Sequence, residues 1–440
     1  MKNGSGKKNR LKPLPDYENV CLNEECEGGF TMSKMTKGLL FTVIIVILLV
    51  GCSKSNAADD KVTLEFFSVK AENINIYREL IKEFEEKHPN IHVKLEQPPE
   101  AETVLRMKLT KNDTPDIIGF NGNPTYGEMA EVGVLHDYSD SHLIEKVDPK
   151  YVDMLDRLVG PERDGIYGLP YATNADVVIY NKKKFRELGL EVPKTWDEFI
   201  DSLEIAKKAG ETPIEFTLLE PWTTLPVWNT LAANLVPEDF GEQKDSNEAS
   251  FVETHQEVAD KMLTLLEYGH RDNFGIDYND GNSAFASGEG VFYLQINSAV
   301  PEIERINPDI ELGTFPLPVT NDPKENKLVS GVDVALSISK DTEHKEEALQ
   351  FIEFLMKKET SQKYIEDQKT FSAIEDVTQD VSTYEGIKDY LEKGQLVSFQ
   401  DHYYPVGLGS ENIIQSFLIN QDKEAFLQKL DKEWEKVQNR

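Results

Sequence analysis

Between Val62 and Phe120 the chain alternates short β-rich runs with runs that carry one apolar helical face, and few folds accept that order. Val62 to Phe67 is rich in strand formers. Ile74, Tyr77, Ile81 and Phe84 then recur at helical spacing until Pro89-Asn90 ends the run. Ile91 to Leu95 alternates apolar and polar residues, a helix is predicted over 101–112, and Asp116 to Phe120 reads as a third strand. A β-α-β-α-β order predicts an α/β fold with a mainly parallel sheet flanked by helices. Ligands of such sheets sit off the carboxyl ends of the strands, which here are Ser68 to Glu72 and Asn121 to Tyr126.

Upstream, Lys34 and Lys37 precede an apolar stretch from Leu39 to Val50, interrupted only by Thr42 and closed by Gly51-Cys52. A charged start, a short apolar centre and an apolar-apolar-small-Cys end form the pattern of a bacterial lipoprotein signal. A spanning helix needs roughly 20 apolar residues, so this stretch is short for one. The expectation is cleavage before Cys52 and lipid attachment to it, holding the protein at the extracellular face of the cell membrane. The competing reading is an uncleaved signal anchor. With cleavage before Cys52, residues 1–51 are absent from the mature protein and 52–60 form the anchor and a polar leash. Residues 1–31 carry Cys21 and Cys26, and translation from Met32 or Met35 would leave them out.

The whole chain carries a formal charge of −32. Residues 1–51 hold seven Lys/Arg and five Asp/Glu, so the 389 residues from Cys52 onward hold −34. Such a body repels nucleic acid and anionic lipid. Cys52 is the last cysteine, which excludes an intrachain disulfide and leaves core burial to stabilise the fold. No G-x-S-x-G, H-E-x-x-H or phosphate loop occurs, so no catalytic residue, cofactor or metal is assigned. The acidic run Asp277 to Asn282 lacks the closing Glu of a calcium loop, since Gly288 stands there, and reads as a turn.

Further along, Tyr171 to Tyr180 is a predicted strand, and Thr195-Trp196-Asp197-Glu198 is a capping box that opens a helix ending at Gly210. Residues 217–231 are interrupted by Pro221 and Pro226, and 238–250 read as an acidic surface loop. Helices are predicted over 252–268, 282–287, 298–306, 343–357 and 423–437, with a strand at 310–318.

Several segments, in order, resemble the extracellular sugar-binding proteins of ATP-driven importers. They are Thr114-Pro115-Asp116-Ile117-Ile118, Tyr167-Gly168-Leu169-Pro170-Tyr171, Tyr180-Asn181-Lys182, Pro193 to Glu198, Ala284 to Gly288 and Gly331 to Lys340. The likeness is greatest to the multiple-sugar and raffinose-binding type of solute-binding protein. It implies a two-lobed periplasmic-binding-protein-like fold with hinge crossings and an interlobe cleft. Lobe 1 would be 61–170 plus 316–346, and lobe 2 would be 172–312 plus 350–440. Crossings would fall near Pro170-Tyr171, Phe315-Pro316 and 347–350. It also implies a monomeric receptor that hands an oligosaccharide to the permease subunits of an ABC importer. An anchored glycoside hydrolase and a sugar-sensing lipoprotein are the alternatives.

A neutral sugar needs polar groups for its hydroxyls and flat rings for its C–H faces. On that chemistry Glu220 with Trp222 is the leading candidate pair, a Glu-Pro-aromatic element that the resemblance places at the cleft. Trp228, Asn121, Asn123, Tyr171, Asn174, Asp280 and Tyr404 join them, and Asn123 has a competing turn role in Asn-Gly-Asn-Pro. Asp333 stands in an otherwise apolar strand, where a carboxylate is costly unless partnered. Relatives often carry Trp where this chain has Ser298, so Asn297 is expected to supply a polar contact there. Trp196 and Trp434 lie on apolar helical faces and are expected to be structural.

Overall fold

The computed structural model describes residues 61–439 apart from 71, 161 and 162, so Cys52 and the signal segment lie outside the described residues. Strands β1 (Val62–Ser68), β2 (Ile91–Glu96) and β3 (Ile117–Phe120) pair in parallel, as the alternation of patterns predicts. Helices Ile74–Lys87 and Ala101–Thr110 are the crossovers between them. The next strand is β4 (Leu169–Asn181), whose 13 residues exceed the usual strand length of about five or six. It is followed by β5 (Thr212–Glu215), β6 (Gly290–Ile296), β7 (Leu312–Phe315), β8 (Leu328–Ile338), β9 (Phe371–Ser372) and β10 (Leu396–Val397).

The sheet order is β2-β1-β3-β8-β4-β6-β5, with β7 and β9 also on β4 and β10 on β8. β4 is the element common to both halves of this sheet. Its first part, Leu169 to Ala175, runs antiparallel to β8, and its second part, Asp176 to Asn181, pairs with β6 and β7. The register with β8 shifts around Tyr171, within the first part of the strand and ahead of the changeover.

Two large apolar cores lie on either side of this changeover. The first gathers Phe66, Tyr77, Phe84, Leu105, Ile118, Leu155 and Leu336. The second gathers Val178, Phe199, Trp228, Phe292, Ile414, Leu427 and Trp434. A smaller cluster with Ile179, Phe285, Tyr293 and Ile387 uses the opposite face of β4 and β6, as alternation along a strand requires.

Three expectations are corrected here. Residues after 350 were expected in the second lobe, yet Phe351, Phe354, Leu355, Tyr364 and Ile374 pack in the first core, because helices Lys345–Leu355 and Lys358–Gln368 lay their apolar faces on β1 and helix Ile74–Lys87. The segment 217–231 is not simply interrupted by its prolines: Pro226 sits in the first turn of helix Leu225–Leu235, where a missing N–H costs nothing. The 238–250 stretch contains helix Phe240–Asp245, anchored by the fully buried Phe240. The capping box forms as predicted, with Thr195 accepting from Glu198 N at 3.2 Å.

Candidate ligand-binding site

Two strands of the first half end beside the middle of β8. Val69 N bonds Gly119 O at 3.1 Å, which sets the residues after β1 against the end of β3. Two residues past β3, Gly122 N bonds Val332 O at 3.0 Å. A Cβ at Gly122 would lie 2.7 Å from Val332 Cβ and from its carbonyl oxygen, so only glycine allows this approach. The loop Asn121–Gly122 is thereby docked next to Asp333.

Asp333 is the hub of what gathers there. Its Oδ1 accepts from Lys70 Nζ at 2.7 Å and from Asn174 Nδ2 at 2.9 Å. Both members of the ion pair are mostly covered, at 16% and 15% side-chain exposure. Burial works against the Lys70 ammonium, but Asp333 and Glu72 outweigh it and its pKa is raised. No hydrogen bond from the described residues ends on Asp333 Oδ2. The His402 ring faces the Gly122 backbone and Asp333; burial lowers its pKa, against the opposing pull of Asp401, so the imidazole is neutral at neutral pH. Asp401 is held by Asn229, whose Oδ1 accepts from its backbone N at 3.1 Å.

Two acceptors here are buried without a donor among the described residues: Asn174 Oδ1 in the hub and Asp401 Oδ1 on the turn beside it. Leaving such an atom without a partner costs on the order of 1–3 kcal/mol, so the group is primed for a ligand or water that donates. Burial, and then the Asp401 carboxylate, push Asp176 well above the usual carboxylate range. Below the hub lie three tyrosine rings, with Tyr171 4.8 Å and Tyr77 5.5 Å from Tyr364 between centroids.

A second group stands on the loop 217–224. Glu220 Oε2 accepts from Tyr278 N at 2.9 Å, and Trp222 packs on the Tyr278 ring at 5.1 Å between centroids. Trp222 and Tyr278 are both half-buried. The loop is tied down from the other side by Gln415, whose Nε2 donates to the Leu218 carbonyl at 2.7 Å.

Of the residues expected in the site, Asn174 and Asp333 touch directly, and Asn121 flanks them through Gly122. Glu220 and Trp222 come together in the second group, and no hydrogen bond or ring contact joins that group to Asp333. Asn123 caps helix Pro124–Glu131, accepting from Thr125 N at 3.1 Å, so the turn role holds for its oxygen while its amide donates to Glu102.

The structure corrects five of the expected site residues. Trp228 is fully buried, stacks on His255 at 5.3 Å and donates to the Tyr404 hydroxyl at 3.0 Å; Tyr404 is itself 4% exposed, so this pair belongs to the second core. Asn297 is fully buried because its amide is used up as a strand tie, accepting from Ala175 N at 2.8 Å and donating to the Lys369 carbonyl. Asp280 is an exposed residue in the first turn of helix Tyr278–Ala286, which Asp277 caps. Tyr171 is packed into the first core. Lys70, Asp401 and His402 were not singled out by sequence reasoning. The strand-end rule marks the stretch holding Lys70, and nothing local in the sequence marks Asp401 or His402.

The profile described as bacterial extracellular solute-binding protein matches residues 70–362. The chain belongs to this family. It is 30% identical over 360 residues to the multiple sugar-binding protein of Streptococcus mutans, covering 78% of this chain and 83% of that one. It is 23% identical over 421 residues to the melibiose/raffinose/stachyose-binding protein MelE of Bacillus subtilis, covering 91% and 96%. Its fold matches the apo form of RafE from Streptococcus pneumoniae with a TM-score of 0.74 at 25% identity, over 86% of this chain and 98% of that one. The two-lobed α/β fold of these solute-binding proteins is therefore the fold of this chain, and the relatives mark it as a binding protein rather than an enzyme. In this solute-binding protein Ser298 lies beside the Tyr278 hydroxyl. No helix among the described residues is long and apolar enough to cross a membrane.

Proposed function

We propose that the chain is a receptor for a neutral oligosaccharide, tethered by lipid at Cys52 and serving the permease subunits of an ABC importer. The observation that carries this reading is the Lys70–Asp333–Asn174 hub, with Asn174 Oδ1 and the nearby Asp401 Oδ1 buried without a donor. Excess acceptors call for a ligand rich in donors. Hydroxyl groups and ammonium groups both qualify, and the fixed charge on Lys70 disfavours an ammonium ion. The carboxylates of Asp333 and Asp401 disfavour phosphates and carboxylates in turn. A polyol satisfies both constraints. Trp222 and Tyr278 add an apolar shelf for the C–H faces of further units. The sugars named for the Bacillus subtilis relative, and the multiple sugar-binding description of the Streptococcus mutans one, support the same class. Closure would then draw contacts from both lobes onto one ligand, and the importer would recognise the closed state.

Titration calorimetry with melibiose, raffinose and stachyose tests the reading, with the recovered sugar analysed for cleavage. Saturable binding with intact sugar is the expected result. Absence of heat for all three sugars would overturn it, and cleaved product would favour a hydrolase.

A further inference from the structure

Arg157 lies in the last turn of helix Pro149–Val159, whose Tyr151, Leu155 and Val159 belong to the first core. Its guanidinium reaches to the other side of the molecule. Nη1 donates to Glu238 Oε1 at 2.8 Å and Nη2 to the Glu238 carbonyl at 2.7 Å. The same group lies over the Tyr403 ring, 4.3 Å from its centroid. Glu238 sits between Val236 and Phe240, and Tyr403 precedes Tyr404, all three neighbours being second-core residues. Among the described residues this is the one ion pair that joins an element of the first core to an element of the second. A cavity of about 480 Å³ opens beside it, with Pro124 and Gly127 on one wall and Gly241 and His402 on the other.

We propose that Arg157 is a latch, a positioning residue that touches no ligand and raises affinity by holding the two lobes together. Its ligand rests on the receptor reading above; its geometry does not. The turn Gln400–Tyr403 supplies the coupling. His402 faces the hub, and Tyr403, the next residue, carries the guanidinium. Fixing one end of this short turn fixes the other. A contact made only in the closed state adds to apparent affinity by shifting the population toward that state. Arg157 and Glu238 are 27% and 54% exposed, so salt screens the latch. The Lys70–Asp333 pair is covered and lies within one core, so salt leaves it largely alone. Affinity for an uncharged ligand thereby becomes salt-dependent.

The test uses Arg157→Ala, Arg157→Lys, Glu238→Gln and the Ala/Gln double variant. Affinity is read by calorimetry with whichever of the three sugars above binds, and closure by the distance between two labels, one on each lobe, with and without sugar. Arg157→Ala is expected to weaken binding about three- to tenfold and to lengthen the label distance, on the scale of one exposed ion pair plus one cation–π contact. Arg157→Lys recovers only part of this, because a lysine has neither the fork nor the flat face. The double variant is no weaker than Arg157→Ala if the two groups act as one device. Raising salt weakens the wild-type protein and leaves Arg157→Ala unchanged. Wild-type affinity and wild-type distance in Arg157→Ala overturn the latch. Sugar binding without a response to Arg157→Ala removes the latch and keeps the receptor; a distance that responds while no sugar binds does the reverse.

Discussion

The hub around Asp333 and the loop 217–224 are both polar, yet they are built in opposite ways. In the loop the protein supplies a partner for nearly everything. Glu220 is held by Tyr278 N, the Thr223 hydroxyl donates to the Thr217 carbonyl at 2.6 Å, and Gln415 takes the Leu218 and Leu219 carbonyls. In and beside the hub, acceptors on Asn174 and Asp401 are buried and meet no donor among the described residues. Residue type does not separate ligand contacts from scaffold. What separates them is whether the protein itself already satisfies the group. Groups that are satisfied should govern stability, and groups that are not should govern affinity.

Trp228→Ala gives the largest test of that division. Its indole is satisfied by Tyr404 and fully buried, so truncation should cost about 3–5 kcal/mol of stability in denaturant unfolding, while the folded fraction binds sugar as before. Weakened binding at full stability would put Trp228 back in the site. Asp333→Ala should do the opposite. Loss of a charged acceptor from the ligand, together with the stranded Lys70 ammonium, should cost about 2–4 kcal/mol in affinity by calorimetry. Retained affinity would mean that the hub is scaffold.

Trp222→Ala sharpens the role of the loop. Removing a half-buried ring that packs on Tyr278 should weaken binding by about 1–3 kcal/mol, and unchanged affinity would confine the site to the hub. The smallest effect concerns pH. Lys70 has a pKa raised in the folded state, so its pairing contributes fully below the unfolded value and is lost as pH rises through the folded one. Unfolding measured in alkaline buffer should therefore show a stability loss that Lys70→Met lacks, and identical profiles would show that the pair contributes nothing.

Much of the fold was legible because local and global signals agreed. The β-α-β-α-β run, the capping box at Thr195 and helix Lys423–Gln438 stand where the patterns put them. Asp333 was legible because a lone carboxylate in an apolar strand demands a partner. Lys70 was legible only as part of a strand-end stretch, since nothing local says that its ammonium crosses 263 positions to Asp333. The prolines at 221 and 226 read as interruptions, because a sequence window does not tell a helix start from a break. Trp228 and Tyr404 looked like loop aromatics for the same reason: their contact spans 176 positions. The packing of Phe351 and Tyr364 was likewise a tertiary choice, made by where β1 and its helix leave an apolar face.

β4 has a consequence for how a ligand meets this molecule. One unbroken strand serves both cores, and Asn174 sits one residue before its last pairing with β8 gives way to pairing with β6. Whatever swing the two halves make, the point at a fulcrum travels least. On the receptor reading proposed above, Asn174 and the Asp333 it holds would then offer an arriving molecule the same foothold at the start of the swing as at its end, while the more distant walls do the travelling.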